Sequence, residues 1–181
     1  MNQSTLNSYF ATYWPQKSFN ANILQYNQSG NKLREKVYYG ERALDVGCGF
    51  NYFRPFIPNL IGIDPVSPMA DHKLTIEQFS VSHQSLRFNV ALCLGSINFG
   101  TAQNIENQIR CVVGMLRPRS SRIYFRTNTE HSTFEGVEFY PWTFEEHIRL
   151  AEKFGFYIND MGYDHDNTIY SEWIQKATAK Y

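Results

Sequence analysis

The sequence predicts a single α/β domain in which a mostly parallel β-sheet is covered by helices on both faces, a three-layer α-β-α arrangement. Short apolar runs alternate with stretches of helical periodicity from about residue 42 onward, as is typical of a parallel sheet with right-handed crossovers. The run Asn89–Leu94 is apolar almost without interruption, which indicates a strand covered on both faces. At the end of the chain, two strand-like runs flank the turn sequence Asp164–Asn167 and predict an antiparallel hairpin.

The first forty residues are predicted to form a helical cap or lid, and residues 41–181 to form the domain itself. Four aromatic residues are spaced four apart on one face of a first helix: Tyr9 with Tyr13, and Phe10 with Trp14. Pro15 would end this helix. A second helix is predicted from about residue 31 to residue 39, where Gly40 stops it. The segment either covers one face of the sheet or forms a lid over a ligand with Tyr9, Tyr13, Trp14 and Tyr26.

The remaining elements follow in chain order. Five parallel strands are predicted at Arg42–Val46, Leu60–Ile63, Leu74–Phe79, Asn89–Leu94 and Arg122–Arg126. A helix is predicted at Ala102–Leu116, and Pro118 breaks it. A further helix is predicted at Trp142–Phe154, with Gly155 as its stop. The closing hairpin is predicted to consist of Phe156–Tyr163 and Thr168–Gln175.

Composition limits the classes of function. Hydrophobic residues make up 43% of the 181 residues and charged residues 19%, as in folded globular proteins. The 17 basic and 17 acidic side chains cancel, which argues against a general polyanion-binding protein. The three cysteines, Cys48, Cys93 and Cys111, lack metal-ligand spacing and favour a reduced, cytoplasmic protein. The sequence contains no signal-peptide pattern and no apolar run of membrane-spanning length, so we expect a soluble protein.

The strongest local signal is the stretch Asp45–Asn51 (DVGCGFN), which directly follows an apolar strand. Gly47 and Gly49 allow the backbone to turn sharply and to approach a ligand with no Cβ between them. The second strand ends in Asp64, where an acidic side chain is placed to accept hydrogen bonds from both hydroxyls of a ribose. The glycine turn and the acid together favour a ligand that contains a ribose.

From about residue 40 to its C-terminus, the sequence resembles the class I (Rossmann-like) S-adenosylmethionine (SAM)-dependent methyltransferases. Their first motif is an acidic residue followed by Gly-x-Gly-x-Gly, and Leu44–Phe53 (LDVGCGFNYF) matches it with Asn51 in place of the third glycine. The resemblance implies a Rossmann-like sandwich with a sheet of the seven-strand type and a C-terminal antiparallel hairpin. It also implies methyl transfer from SAM, with S-adenosylhomocysteine (SAH) as the product and no metal.

The resemblance implies a cofactor site assembled from four stretches of the chain. The glycine turn would contact the amino-acid portion of SAM, Asp45 would support that turn, and Asp64 would bind the ribose. The end of the third strand would line the adenine, and the end of the fourth strand would line the methionine side near the transferable methyl. The implied cofactor-binding residues are Asp45, Gly47, Cys48, Gly49, Asn51, Asp64, Gln78, Phe79, Leu94, Gly95 and Ser96.

Two other interpretations of the glycine turn are open. A nicotinamide dinucleotide site requires Gly-x-Gly-x-x-Gly, because the third glycine permits close helix packing beside the pyrophosphate. Tyr52 stands at that position and would obstruct the packing, and no separate substrate domain follows. The turn could also be purely structural, with no ligand.

The acceptor side of the site is less clearly marked in the sequence. The methyl group of SAM is already activated, so a general base is needed only when the acceptor carries a proton at neutral pH. Asn98, after the fourth strand, and His131, in the long stretch after the fifth strand, are the candidates for catalysis. The candidate substrate-binding residues are Tyr13, Trp14, Arg126 and Asn128.

The class of acceptor follows from what the sequence lacks. Ser96–Phe99 (SINF) has the polar start and aromatic end of the tetrad found in amino-methylating nucleic-acid enzymes, but neither of its prolines. With little chain outside the predicted domain, we expect a small-molecule acceptor and neither a nucleic-acid nor a membrane partner. The alternatives are a methyltransferase that acts on a macromolecule, and a SAM-binding regulatory subunit that does not catalyse.

Overall fold

The structure is a computed structural model that describes residues 3–13, 26–129, 133–134 and 137–177. The strands are β1 (Ala43–Val46), β2 (Leu60–Ile63), β3 (Val90–Leu94), β4 (Arg122–Asn128), β5 (Thr133–Phe134), β6 (Val137–Glu138), β7 (Phe156–Tyr163) and β8 (Thr168–Gln175). The helices are α1 (Gln3–Tyr13), α2 (Ile76–Ser82), α3 (Ala102–Met115) and α4 (Phe144–Lys153). Two short 3₁₀ helices lie at Asn31–Lys36 and His165–Asn167.

Six strands form one sheet in the order β2-β1-β3-β4-β8-β7, and β5 pairs with β6 in a separate ribbon. β1 is parallel to β2 and to β3, and β3 is parallel to β4. β8 runs antiparallel to both β4 and β7, which confirms the mostly parallel sheet with a closing hairpin. Because the strand order reverses beside β1, the carboxyl ends of β1 and β3 flank the crevice in which ligands bind in such sheets.

The predicted strand at Leu74–Phe79 is wrong, since this segment begins α2. The Thr75 hydroxyl accepts a hydrogen bond from the Gln78 N–H, and Gln78 Oε1 accepts one from the Thr75 N–H. This reciprocal cap fixes a helix start and outweighs the apolar pattern of the segment. The outer edge of β2 is met instead by Asp71 and His72: His72 forms an isolated parallel bridge with Ile63, and the Asp71 carboxylate accepts from the Gly62 N–H at 2.8 Å. Within the described residues the sheet therefore has six strands, one fewer than the seven-strand type.

The two faces of the sheet are covered by different kinds of structure. One face packs against α2, α3 and α4, which bury Ile76, Ile109 and Leu150 against the strands. The other face is covered by the first 3₁₀ helix and by the turns that follow the glycine motif. The helix predicted at residues 31–39 is therefore shorter than expected. Leu33 is its one buried residue, so no second apolar turn is available to hold a longer helix against the sheet.

A chain of buried hydrogen bonds lies between the sheet and α4. The Thr127 hydroxyl donates to the Ile169 carbonyl at 3.4 Å, so it accepts from His147 Nε2 at 2.9 Å, and we assign the ring proton to that nitrogen. His147 Nδ1 then accepts from the Ser171 hydroxyl at 2.9 Å, and Ser171 Oγ accepts from Trp173 Nε1 at 3.1 Å. Burial lowers the pKa of His147 from 6.5 to about 3, so its ring is neutral. We call these five residues the His147 network.

In the described part of the chain, no helix is both long and apolar enough to cross a membrane. In the same residues, no group of three or more His, Cys, Asp or Glu side chains is arranged to hold a metal ion.

Candidate cofactor-binding site

A cavity of about 260 Å³ lies where the carboxyl ends of the parallel strands meet. Residues that end or follow β1, β2, β3 and β4 form its floor, and α1, α2 and α3 contribute to its walls. Its lining includes Leu6, Tyr9, Phe10, Tyr26, Gly47, Asp64, Leu74, Thr75, Ile76, Glu77, Leu94, Gly95, Ser96, Asn98, Phe99, Gln108, Arg126, Asn128 and Phe139.

The glycine turn brings the chain after β1 against the chain after β3. Gly47 adopts φ +66°, and its N–H donates to the Ile63 carbonyl at 2.8 Å. A Cβ on Gly47 would lie only 2.4 Å from Cβ of Ser96, so no side chain fits between the two loops. Gly49 also has a positive φ, +52°, a region that favours glycine. The prediction that both glycines are needed for a tight turn at the site agrees with this geometry.

Asp64 binds the backbone of two loops at once. Its Oδ2 accepts from the Gly49 N–H at 3.2 Å, and its Oδ1 accepts from the N–H groups of Val66 and Ser67, each at 2.8 Å. The Ser67 hydroxyl in turn donates to the Gly49 carbonyl. Asp64 is buried and also lines the cavity, so the residue that fixes the glycine turn borders the space that a ligand would fill.

Asp45 is a buried carboxylate at the base of the site. Within the described residues no hydrogen bond to its side chain is present, and its exposed fraction is 4%. Burial raises the pKa of Asp45 from 3.8 to about 7; the charge of Asp64 raises it further, and the Arg126 guanidinium lowers it. The site therefore contains two acidic groups that repel each other, which favours a cationic ligand group beside them.

Six of the predicted cofactor residues are not among those that line the cavity: Asp45, Cys48, Gly49, Asn51, Gln78 and Phe79. Asn51 adopts φ +54° and donates through Nδ2 to the Met69 carbonyl at 3.0 Å, which ties the turn to the next loop. Gln78 is occupied by the cap of α2, and Phe79 is buried in the core. The residues just before them, Leu74, Thr75, Ile76 and Glu77, line the cavity in their place.

Cys48 is half-buried in the glycine turn, and its N–H donates to the Ile63 carbonyl at 3.0 Å. It is not among the residues that line the cavity. Burial and the neighbouring carboxylates of Asp45 and Asp64 raise the pKa of its thiol above the usual value, so the sulfur is a neutral packing group.

The loop after β3 reaches the cavity as predicted. Leu94, Gly95 and Ser96 all line it, and Gly95 adopts φ +85° while its N–H donates to the Arg126 carbonyl at 2.9 Å. A Cβ on Gly95 would lie 3.1 Å from the Arg126 guanidinium. Ser96 Oγ is buried and has no hydrogen-bond partner in the described part of the chain.

The acceptor-side candidates are only partly described. Asn98, Arg126 and Asn128 line the cavity, and Asn98 Oδ1 accepts from the Asn128 N–H at 3.2 Å. His131 and Trp14 lie outside the described residues, and of Tyr13 the structure describes only the backbone, at the end of α1. Asn98 thus joins the loops after β3 and β4, which gives its side chain a structural role beside the cavity.

Sequence reasoning missed several residues of the cavity wall. Phe10 of α1 contacts Phe99 edge-on at 5.3 Å, and Phe99 contacts Phe139 at 5.0 Å between ring centroids. The helical spacing of the first aromatic residues indicated a shared face, but no pattern connects that face to residues 99 and 139. Gln108, in the second turn of α3, was also missed, because a single polar residue on an amphipathic helix carries no signal of its own.

Tyr26 is held at the cavity by the turn of the closing hairpin. The Asp164 carboxylate accepts from the N–H groups of Asn27 at 2.6 Å and Ser29 at 2.9 Å, which fixes the chain directly after Tyr26. The Tyr26 ring then lies 3.8 Å from the Arg126 guanidinium, a cation–π contact. Tyr9 and Tyr26 both line the cavity.

Solved structures of SAM-dependent methyltransferases share this architecture. The 1,6-didemethyltoxoflavin-N1-methyltransferase of Burkholderia thailandensis, with its didemethyltoxoflavin and SAH bound, matches at a TM-score of 0.73 and 13% identity, over 96% of this chain and 88% of that chain. CalS10, an amino pentose methyltransferase of Micromonospora echinaspora with SAM bound, matches at 0.63 and 13%, over 93% and 97%. Magnesium protoporphyrin IX methyltransferase of Synechocystis PCC 6803, with SAH bound, matches at 0.62 and 12%, over 97% and 100%.

The sequence matches no protein-family model and no curated protein. At identities of 12% and 13%, the structural likeness shows the fold alone. The chain thus has the fold of the class I SAM-dependent methyltransferases.

Proposed function

We propose that this protein is a SAM-dependent methyltransferase that acts on a small-molecule acceptor. The observation that carries the proposal is that Gly47, Asp64 and Ser96, which end three neighbouring parallel strands, meet at one cavity. A purely structural glycine turn would not require an acid from β2 and a hydroxyl from β3 to face the same space. The fold shared with SAM-binding enzymes supports the same interpretation.

The hydrogen-bonding groups of the cavity fit a polar ligand. Ser96 Oγ and Gln108 Oε1 are buried without a partner among the described residues. Leaving such an atom unpaired costs about 1–3 kcal/mol, so a ligand that pairs with these atoms recovers free energy on binding. Asp64 has the position and the spare acceptor capacity to take the ribose hydroxyls while it still holds the glycine turn.

The charge of the site favours SAM over a nicotinamide dinucleotide. SAM carries a sulfonium and an α-ammonium group, both of which would relieve the repulsion between Asp45 and Asp64. A dinucleotide would instead place a pyrophosphate near these two carboxylates. Arg126, close enough to Asp45 to lower its pKa, is the group that we assign to the carboxylate of the methionine portion.

SAM, when bound, would supply a methyl carbon activated by a positive sulfur; the acceptor atom would bond to this carbon in line as the carbon–sulfur bond breaks and SAH leaves. The protein contributes positioning, which supplies roughly 7–11 kcal/mol when the reacting atoms are held in an attack geometry. Gly47 and Gly95 allow the backbone to approach the methionine portion, and Asp64 fixes the ribose. The loop after β3 then lies beside the reacting centre.

We place the acceptor at the aromatic end of the cavity. Leu6, Tyr9 and Phe10 of α1 form this end together with Phe99 and Phe139. Such a wall excludes water and suits a flat or apolar small molecule. Residues 1–40 would then act as a lid whose α1 closes the acceptor end, while residues 41–181 hold the cofactor.

Calorimetric titration with SAH, SAM and NAD tests the assignment. We expect micromolar binding of SAH and SAM, a rise in melting temperature with either, and no binding of NAD. Binding of NAD without SAH binding would overturn the proposal. A screen of small-molecule acceptors with methyl-labelled SAM then tests catalysis, and SAM binding without turnover of any acceptor would favour a regulatory subunit.

A further inference from the structure

The hairpin turn between β7 and β8 is joined to the N-terminal segment by one carboxylate. Asp164 is buried, and its oxygens accept hydrogen bonds from the N–H groups of Asn27 at 2.6 Å and Ser29 at 2.9 Å, and from the Ser29 hydroxyl at 2.8 Å. Burial opposes the charge of this carboxylate, but the hydrogen bonds from Ser29 and Asn27 outweigh it and lower the pKa of Asp164 below its usual value. The carboxylate is therefore charged at neutral pH, and charge-assisted hydrogen bonds fix the course of residues 27–29.

Tyr26 is the residue that this anchor positions. It directly precedes Asn27, and its ring packs edge-on against the His165 ring of the same hairpin turn, with 5.8 Å between the ring centroids. The centroid of the Tyr26 ring lies 3.8 Å from Cζ of Arg126, and both residues line the cavity. The hairpin turn therefore determines where the Tyr26 ring meets the guanidinium.

The direction of the Arg126 guanidinium depends on its contacts with two loops. Its Nη2 donates to the Leu94 carbonyl at 3.4 Å, a long and weak hydrogen bond. A Cβ on Gly95 would lie 3.1 Å from the same nitrogen, so the loop after β3 limits the position of the guanidinium. The Tyr26 ring limits it as well. An arginine side chain that is ordered before a ligand binds loses less conformational entropy on binding, so such restraints raise affinity.

We propose that Asp164 is a positioning residue of the cofactor site, which holds the Tyr26 ring against Arg126 and thereby directs the guanidinium toward the carboxylate of the methionine portion. The inference rests on the proposed function and on its assignment of Arg126. Asp164 is not among the residues that line the cavity, so its effect on the ligand is transmitted through Tyr26.

The test compares SAH with 5′-methylthioadenosine, which retains the adenosine and the sulfur but lacks the amino-acid portion. Only SAH offers Arg126 a carboxylate, so calorimetry should show the parent protein binding SAH at least about tenfold more tightly. Asp164→Ala should weaken SAH binding by about tenfold and change the affinity for 5′-methylthioadenosine by less than about twofold. A substitution that merely loosened the fold would weaken the binding of both compounds alike.

Substitutions of Tyr26 and Arg126 test the route of the effect. Tyr26→Ala leaves every hydrogen bond of Asp164 in place and should reproduce the selective loss of SAH binding. Tyr26→Phe keeps the ring and should bind both compounds as the parent does. The losses from Asp164→Ala and Arg126→Gln should not add in the double variant, because both changes act on the same contact with the carboxylate.

Asp160→Ala is the matched control, because Asp160 is an aspartate of the same hairpin whose side chain is 50% exposed. It should leave both affinities unchanged. Parental SAH affinity in folded Asp164→Ala or Tyr26→Ala protein, or equal weakening of both compounds, would overturn the proposal. If Asp164→Ala does not fold, Asp164→Asn, which keeps one acceptor oxygen, must show the selective loss of SAH binding instead.

The behaviour of the parent protein separates this inference from the proposed function. A parent protein that binds neither compound contradicts both. A parent protein that binds SAH, with variants that bind it equally well, contradicts the inference alone.

Discussion

Two polar clusters lie against the same sheet, and they differ in how completely their hydrogen-bonding atoms are paired. In the His147 network every side-chain donor finds an acceptor, from Trp173 through to the Ile169 carbonyl. In the cavity, Ser96 Oγ and Gln108 Oε1 are buried without partners among the described residues. The atoms in question are buried in both clusters, although Ser96 and Gln108 as whole residues are only partly buried.

The difference teaches which buried polar residues belong to a binding site. A closed network stabilises the fold and leaves nothing for a ligand to pair with. Buried polar atoms without hydrogen-bond partners destabilise the free protein, and a ligand that forms hydrogen bonds with them removes this penalty on binding. Substitutions in the network should therefore change stability, and substitutions in the cavity should change affinity.

Gly47→Val should have the largest effect on affinity. Valine resists φ +66°, and its Cβ would lie 2.4 Å from that of Ser96, so the two loops would have to separate. We expect no detectable SAH binding by calorimetry, with folding checked by circular dichroism. Gly114→Ala, at a helix position with open space around it, should bind as the parent does. A folded Gly47→Val protein with parental affinity would refute our placement of the cofactor.

Asp64→Ala should weaken SAH binding about ten- to a thousandfold, because two hydrogen bonds to a carboxylate are worth roughly 1.5–3 kcal/mol each, less what water recovers. The same change also removes the acceptor for the Gly49 N–H, so the melting temperature should fall. Calorimetry and thermal denaturation measure the two effects separately. If the folded variant retained parental affinity, Asp64 would have a structural role only.

His147→Leu tests the other side of the comparison. It leaves the hydroxyls of Thr127 and Ser171 without their partner, and we expect a loss of about 2–4 kcal/mol in the free energy of unfolding. The affinity of the folded variant for SAH should change by less than about twofold. Ile148→Ala, in the same helix but 44% exposed, serves as the control for stability. A large loss of affinity with little loss of stability would contradict the distinction between the two clusters.

Asp45→Asn should raise stability and lower affinity. The raised pKa of Asp45 reflects a charge that folding buries at a cost, and an amide removes that charge. We expect a gain of about 1–2 kcal/mol at pH 8 in urea denaturation, and SAM binding that is several-fold weaker. A variant that is less stable at pH 8 than the parent would show that the buried charge is already compensated.

The pH dependence of the free energy of unfolding, followed by urea denaturation, should be small in the parent protein and should appear only in the variants. The pKa of Asp45 rises from 3.8 to about 7 on folding, so its contribution to stability falls as pH rises through that window. The pKa of His147 falls from 6.5 to about 3, so its contribution rises with pH in an overlapping window. Between about pH 4 and 6.5 the two slopes, each about 1.4 kcal/mol per pH unit, should cancel in the parent. In the Asp45→Asn variant the free energy of unfolding should therefore rise with pH in this range. In the His147→Leu variant it should fall.

The sequence by itself determined most of the chain order of the elements and the local turn on which the proposed site is built. The strands Leu60–Ile63, Phe156–Tyr163 and Thr168–Gln175 have the predicted bounds, because local apolar runs and turn residues decide where strands begin and end. The glycine turn and Asp64 were recognisable for the same reason, since a tight turn and a strand-end acid are local features. The strand at Leu74–Phe79 was predicted wrongly because the capping box formed by Thr75 and Gln78 outweighed a weak apolar pattern.

Tertiary structure decided what no local pattern contains. It brought Glu77 and Gln108 to one cavity, packed Phe10 against Phe99, and used Asp164 to hold the chain beside Tyr26, with Asp164 bonded to Asn27 across 137 residues of sequence. Which polar atoms stay unpaired is also a tertiary property, because pairing depends on neighbours that are distant in sequence. Ser96 follows β3 and Ser171 lies in β8, yet of these two hydroxyls only that of Ser171 has a hydrogen-bond partner among the described residues. Only the packing of loops and helices around each hydroxyl makes that difference.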